Sequence, residues 1–430
     1  MPMHFAMRFA TLSTLIFCVS LSAEDSTWPQ WRGPEQNGVA PAGDYPLEWS
    51  TSQNVLWKYD FEGLGGSTPV VAGRHAFFTA GDGGKNTLVA VNLDTGEKAW
   101  SVSLGDDKGN KHRKGSGSNP SAVTDGKHVF AYFRSGDLAA VDLEGNVAWQ
   151  VNLQDEFGED TLWWDLGSSP MLIDDLVVVA VMQSGPSYVV AYDRATGKRA
   201  WKADRVLGAP EEAAQSYATP LAIKGGNIAV MGADNLTIHS AKTGKQLGRV
   251  PGFNPEGEKY FRSISSPVIS GDYIVCPYSR GATITVCRID DVIEGKGRDS
   301  IAWHRDGLGS DVPTPAIKDG RVYVVGDSRK LKSNGVVSAV DLKTGKDVWT
   351  MTLPKSRQGF SSSPLVAGNH LYVTAEDATT YVIGPLDAEE PDVVATNTLD
   401  DSEPFTVASL IPHGGGFLLR TRHSLYRIGG

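Results

Sequence analysis

Cysteine is nearly missing: the 430-residue chain has three. Cys18 lies in an N-terminal apolar run, and neither Cys276 nor Cys287 belongs to a CxxCH or CxxC motif, which excludes covalent haem attachment and a zinc ribbon. Positive charge is also in deficit, with 40 Lys and Arg against 50 Asp and Glu, a formal net charge of −10. That sign is wrong for a general nucleic-acid binder, and no nucleic-acid partner is expected. There is no P-loop, no GxSxG elbow and no HExxH or i, i+4 histidine pair. No long helical pattern appears, and past the first two dozen residues no apolar run is long enough to span a bilayer.

What the chain does have is glycine, 48 of 430 residues, which points to a turn-rich, all-β protein. Residues 1–23 combine Arg8, an apolar run from Phe9 to Leu21 and the small residues Ser20, Ser22 and Ala23. That is the form of a secretory signal peptide, and Phe17 stands before Cys18 where a lipobox needs a small residue. The expected organisation is a signal peptide at 1–23, an extension at 24–53 and a single domain at 54–430. The mature chain is expected to be a soluble monomer in the periplasm or secreted.

A phrase built on Ser-Ser-Pro recurs, with prolines at 69, 120, 170, 220, 267, 315 and 364. The steps between them are 51, 50, 50, 47, 48 and 49 residues. Each period then runs through a tight turn, a second strand, and a third strand ending in Ala-x-Asp/Asn, such as Ala90-Val91-Asn92 and Ala339-Val340-Asp341. Thr-Gly follows, with Trp four residues on: Thr95-Gly96 to Trp100, Thr196-Gly197 to Trp201 and Thr344-Gly345 to Trp349. Gly suits the left-handed position of the loop, and the preceding Asp can accept its amides.

Four short strands in about 50 residues are the grammar of a propeller blade. The last unit has three strands, and Asn54–Asp60, with Trp57 in the repeat position, supplies the fourth. The expected fold is an eight-bladed β-propeller of four-stranded blades, closed by an N-terminal strand that completes the last blade. Loss of residues 24–61 should open that ring, and loss of 24–50 alone should be tolerated much better. Three blades depart from the pattern. Blade four has Ser240 and Gly248 for the Asp and Trp, blade five inserts Asp290–Ser300, and blade seven lacks both turn and Trp.

Cys276 and Cys287 fall in one predicted hairpin. A two-residue turn at Gly281-Ala282 would set them opposite each other, as a disulfide or as two buried thiols.

The Ala-x-Asp-x-x-Thr-Gly-x-x-x-Trp pattern resembles the PQQ-like propeller repeats of quinoprotein alcohol dehydrogenases and BamB. Trp28-Pro29-Gln30-Trp31-Arg32-Gly33-Pro34 is similar to the start of exported PQQ-like repeat proteins. The resemblance implies PQQ and Ca²⁺ only if the chain is a quinoprotein oxidoreductase acting on alcohols or sugars. Against that reading, the adjacent cysteine pair of many such enzymes is missing, and no calcium-ligand set maps onto the chain.

Loop lengths indicate where a site would lie. The long connections are the blade-to-blade crossings, which gather on one face, and insertions concentrated on one face often mark a binding surface. The candidates there are Lys111 and Arg113 in a basic tip, Trp163, Trp164 and Asp165, then Tyr260 and Arg262, and Asp311 before the next innermost strand. The expected role is a non-catalytic binding or scaffold module for a protein, peptide or glycan. The alternatives are the quinoprotein oxidoreductase and a BamB-like factor in outer-membrane protein assembly.

Overall fold

A computed structural model describes Met1 and residues 27–354, 358–399 and 404–429. Apart from Met1, the segment read as a signal peptide lies outside the described residues. Eight four-stranded antiparallel sheets follow one another along the chain as the blades of a propeller. Blade one is Val70–Ala72, His75–Asp82, Lys85–Asn92 and Lys98–Asp106. Blade eight takes Ile411–His413, Gly416–Arg420 and Ser424–Ile428 from the C-terminal end and Val55–Asp60 from the N-terminal end, with Trp57 opposite Arg427 and Tyr59 opposite Leu425. The first three strands of each blade are almost wholly buried, and the outer strand mostly alternates, as in Val55–Asp60. The apolar core therefore lies between blades. One cluster joins Phe130 and Ala140 of blade two to Val177 and Val190 of blade three.

The repeat motif acts across blade junctions. The indole Nε1 groups of Trp57, Trp100, Trp149, Trp201 and Trp303 donate to the carbonyls of Leu93, Leu143, Arg194, Ala241 and Leu342 in the next blade, at 2.6–2.9 Å. Each ring covers a glycine of that blade's turn. A Cβ at Gly96, where φ is +72°, would stand 2.7 Å from the Trp57 ring. Glycine is needed there for its backbone conformation and for the approach of the ring. The Asp or Asn before each turn accepts loop amides as expected; Asp341 Oδ1 accepts from Thr344 at 2.8 Å.

The departures have physical counterparts. At Gly248 of blade four a Cβ would lie 1.7 Å from the Val292 carbonyl oxygen, so the helix Ile289–Ile293 from blade five's insertion fills the tryptophan's place. Blade seven has lost its turn, and Trp349 Nε1, docked against that blade, is buried without a partner among the described residues. Blade seven also lacks its own tryptophan. Trp49, from the extension, packs between Tyr372 of blade seven and Phe417 of blade eight, with ring centroids 6.3 and 5.8 Å away.

Two expectations need correction. Cys276 pairs with Thr285, and Cys287 with Ile274, because Ser279-Arg280-Gly281-Ala282 is a four-residue loop closed by Tyr278 opposite Thr283. The register is two residues from the one that would oppose the cysteines, and both are buried free thiols. Burial pushes the Cys287 thiol up to about 12.

The extension is also no dispensable tail. Trp28 bridges Val71, Pro29 accepts from Thr124, Gln36 exchanges two bonds with Ala222, and Gly38 and Ala40 bracket Val366. Residues 28–40 thus contact the innermost strands of blades one, two, four, six and seven from the face opposite the crossings. Arg32 is fully buried at their centre, donating to Pro364 and Pro315 carbonyls at 2.8 Å each. Loss of residues 24–50 removes this brace as well as Trp49. Trp49→Ala is therefore expected to cost about 3–5 kcal/mol in urea unfolding, while Trp163→Ala, on the surface, changes stability by less than about 0.5 kcal/mol. A Trp49→Ala protein as stable as the parent would show that the extension does not supply the ring that blade seven lacks.

Candidate functional site

Each crossing loop descends to the axis and delivers one small hydroxyl residue at the head of an innermost strand. These residues are Thr68, Ser121, Ser169, Thr219, Ser266, Thr314, Ser363 and Ser409. The backbone N–H of each donates to the hydroxyl of the next, at 2.9–3.1 Å, and Ser409 donates to Thr68. The result is a closed ring of eight hydrogen bonds. Six of the ring residues stand directly before the repeat proline, whereas Ser121 follows Pro120. Each must be small and must also accept a neighbour's amide.

The ring forms the waist of an axial funnel of about 560 Å³ that opens on the crossing face. Trp31, from the bracing segment, lies at its base, and Trp164, Tyr217, Ile264 and Phe360 line its walls. The funnel's carboxylates are each engaged. Asp165 accepts from the amides of Lys111 and His112 at 2.7 and 2.8 Å. Asp327 accepts from those of Asp311 and Val312 at 2.8 and 2.9 Å. Asp311 receives both terminal nitrogens of Arg262 at 3.3 and 3.2 Å. Glu376 holds Lys114 and accepts from Ser361 at 2.6 Å. Arg113 also lines the funnel.

Of the residues selected from sequence, Arg113, Trp164, Asp165, Arg262 and Asp311 line this funnel. Lys111 turns away to pair with Asp160 at 3.1 Å. Trp163 and Tyr260 stand outside the funnel lining, 44% and 52% exposed, beside Trp164 at 40%. The Trp164 indole donates to Glu212 at 2.7 Å and meets the His112 ring edge-on at 5.6 Å. Sequence reasoning missed Trp31, Tyr217, Arg280, Asp327 and Glu376. Arg280, Asp327 and Glu376 share one position, two residues past the second strand of their blades. That register was the available signal.

Residues 47–247, 175–291 and 294–394, together most of the chain, match the family described as outer membrane protein assembly factor BamB. The chain belongs to the PQQ-like β-propeller family. BamB from Moraxella catarrhalis is similar at 14% identity and a TM-score of 0.61, over 87% of this chain and 99% of that one. Quinohemoprotein alcohol dehydrogenase from Comamonas testosteroni is similar at 13% identity and 0.65, over 96% and 82%. A europium-containing methanol dehydrogenase gives 12% and 0.66, over 90% and 88%. At such identities the likeness shows the fold alone. No curated protein sequence matches the chain.

The dehydrogenase likeness raises the question of a quinone and its metal. A calcium ion needs six to eight converging oxygens. Here every funnel carboxylate already accepts from a backbone amide, a cation or a hydroxyl, and among the described residues no three His, Cys, Asp or Glu side chains are grouped to hold a metal. The donor set of this PQQ-like propeller does not fit calcium.

Burial, and then the neighbouring Asp311, raise the Asp327 carboxyl to about 7. Arg262 and Arg280 are the cations nearest this pair, through Asp311. The folded state thus keeps a proton that the unfolded chain releases near pH ~4. The resulting stability is present below that pH and lost as pH rises to about 7. Asp327→Asn should flatten this part of the pH dependence, read as urea midpoints from pH 4.5 to 7.5. An unchanged slope would mean that Asp327 titrates as an ordinary carboxyl.

Proposed function

We propose that the chain is an exported, non-catalytic PQQ-like propeller that binds a protein partner through its crossing face and takes an extended segment of that partner into the axial funnel. The observation that carries this reading is the mouth of the funnel. Trp163, Trp164 and Tyr260 are exposed there while most other large apolar side chains are buried. Exposed aromatic anchors near a pocket are the usual core of a binding site. The family description, an assembly factor of the outer membrane, also favours a protein partner over a glycan. Export rests on the N-terminal sequence, and among the described residues no helix is long and apolar enough to cross a membrane.

The competing reading is a PQQ- and calcium-dependent oxidoreductase, favoured by one feature: Arg113 and the ring hydroxyls could meet an anionic quinone. A photo-crosslinking residue placed at Trp163 or Tyr260 is expected to trap a discrete protein partner in cells, whereas one placed at Lys198, on the opposite face, should not. Purified protein supplied with PQQ and Ca²⁺ should not oxidise alcohols or sugars with an artificial acceptor. Quinone-dependent turnover, or equal crosslinking from both faces, would overturn the proposal.

A further inference from the structure

The axial ring is only half used by the protein itself. Each of its eight hydroxyls accepts a neighbour's amide, yet among the described residues none gives its own proton to a protein acceptor. The serines one position earlier behave differently. Ser67, Ser168, Ser265 and Ser362 donate to the carbonyls of Thr79, Ala218, Pro313 and Ala408 at 2.7–3.3 Å. The ring residues are only 1–6% exposed, and all eight line the funnel. Their unused protons therefore face the lumen, and a hydroxyl that already accepts a hydrogen bond is polarised into a better donor.

The charge closest to the ring is positive. Arg32 donates to the carbonyls of Pro315 and Pro364, the residues directly after ring members Thr314 and Ser363. Its guanidinium is buried, and among the described residues no carboxylate pairs with it. Water can accept from the hydroxyls, but it does not neutralise that charge. A cation in the ring would be repelled by it. The funnel's four carboxylates belong to the crossings and to the turns after second strands, so they stand toward the mouth. Shape adds a second limit. The funnel opens on the crossing face, while Trp31 and the bracing segment stand across its base. About 560 Å³ is the size of a small-molecule site, too little for a chain that enters and turns back. An extended segment must reach the ring with its end.

We infer that the ring binds the carboxylate that ends a polypeptide chain, its oxygens accepting from ring hydroxyls and its last residues extended between Trp164, Tyr217 and Phe360. Hydrogen bonds from a hydroxyl to an ionised carboxylate are about twice as strong as neutral ones. The other end of a chain, an ammonium, would bring only donors to a ring of donors and a second positive charge beside Arg32. This inference rests on the proposed partner surface at the crossing face and adds which part of the partner enters the funnel.

The test uses the whole mature protein with N-acetyl-tetraalanine, as the free acid and as the C-terminal amide. Calorimetry reports affinity, and NMR shifts of the Thr68, Thr219 and Thr314 methyl groups report contact at the ring. The acid should bind at least about tenfold more tightly than the amide and shift all three methyls. Two further probes separate the sources of a carboxylate: acetate, and an N-acetylated, C-terminally amidated tetrapeptide with one internal glutamate. Each should bind at least about tenfold more weakly than the tetraalanine acid. Ser169→Asp puts a negative charge into the ring, whereas Ser169→Asn, of the same size, keeps an oxygen for the amide and a nitrogen that donates. The acid should bind the Asn variant at least about tenfold more tightly than the Asp variant. Should neither variant fold, the acid-to-amide ratio of the parent decides. Equal binding of acid and amide, no saturable binding of the acid, unshifted ring methyls, or equal binding by the two variants would overturn the inference. Acetate or the glutamate peptide matching the acid would also overturn it, by assigning the ring to small carboxylates or to acidic side chains. Crosslinking confined to the crossing face, with acid and amide bound equally, would leave the partner surface standing and the inference lost.

Discussion

Eight amide-to-hydroxyl hydrogen bonds around the axis are the constraint on which the rest of the structure depends. Each innermost strand is only two or three residues long, too short to fix its own position. The ring fixes all eight at once, because each residue is both donor to one neighbour and acceptor from the other. A net gain of about 1 kcal/mol per bond is modest, but a single apolar substitution would leave a buried amide without its acceptor. That asymmetry restricts the position to Ser or Thr in all eight blades. It also sets the axial spacing, and hence the funnel.

Outside the ring, the blades are held by tryptophan docking, and the two systems meet different needs. The ring positions strands at the axis, whereas each indole fixes the rim of one blade to the turn of the next. Where a blade lacks the docking pair, another part of the chain supplies it: the insertion helix beside Gly248, and Trp49 between blades seven and eight. Closure is likewise shared between Val55–Asp60 in blade eight, the ring bond from Ser409 to Thr68, and the buried Arg420, which donates to the Ser67 carbonyl at 2.9 Å and stacks over Phe78.

The fold was legible because a repeat multiplies a weak signal. One Thr-Gly-x-x-x-Trp is a turn like many others, but copies at a period near 50 leave few alternatives to blades. The eighth blade followed from counting strands and finding Trp57 upstream. The site was less legible because it is made of residues 50 positions apart that differ from blade to blade. Asp165 and Asp311 could be placed near the axis, but nothing local to either shows that one would be held by amides and the other by Arg262. The cysteine register failed for a smaller reason. Arg280 at φ +54° makes a four-residue loop, and a turn's length cannot be read from Gly281 alone. The extension failed for a larger one, since its partners are backbone groups in five blades and carry no side-chain pattern.

The bracing segment also bears on what the funnel can receive. Among the described residues no carboxylate pairs with Arg32, and burial lowers its pKa only to about 9, so it stays charged at neutral pH. Its Nη1 and Nη2 each donate to a carbonyl, while its Nε is buried without a partner among the described residues, and the guanidinium lies 5.6 Å from the ring of Trp31 at the funnel's base. Buried charge is screened far less than surface charge. The positive field of Arg32 therefore reaches the channel, on the side where each ring hydroxyl still has its own proton to donate. A protein with a net charge of −10 thus keeps an uncompensated cation buried at the base of its axial funnel.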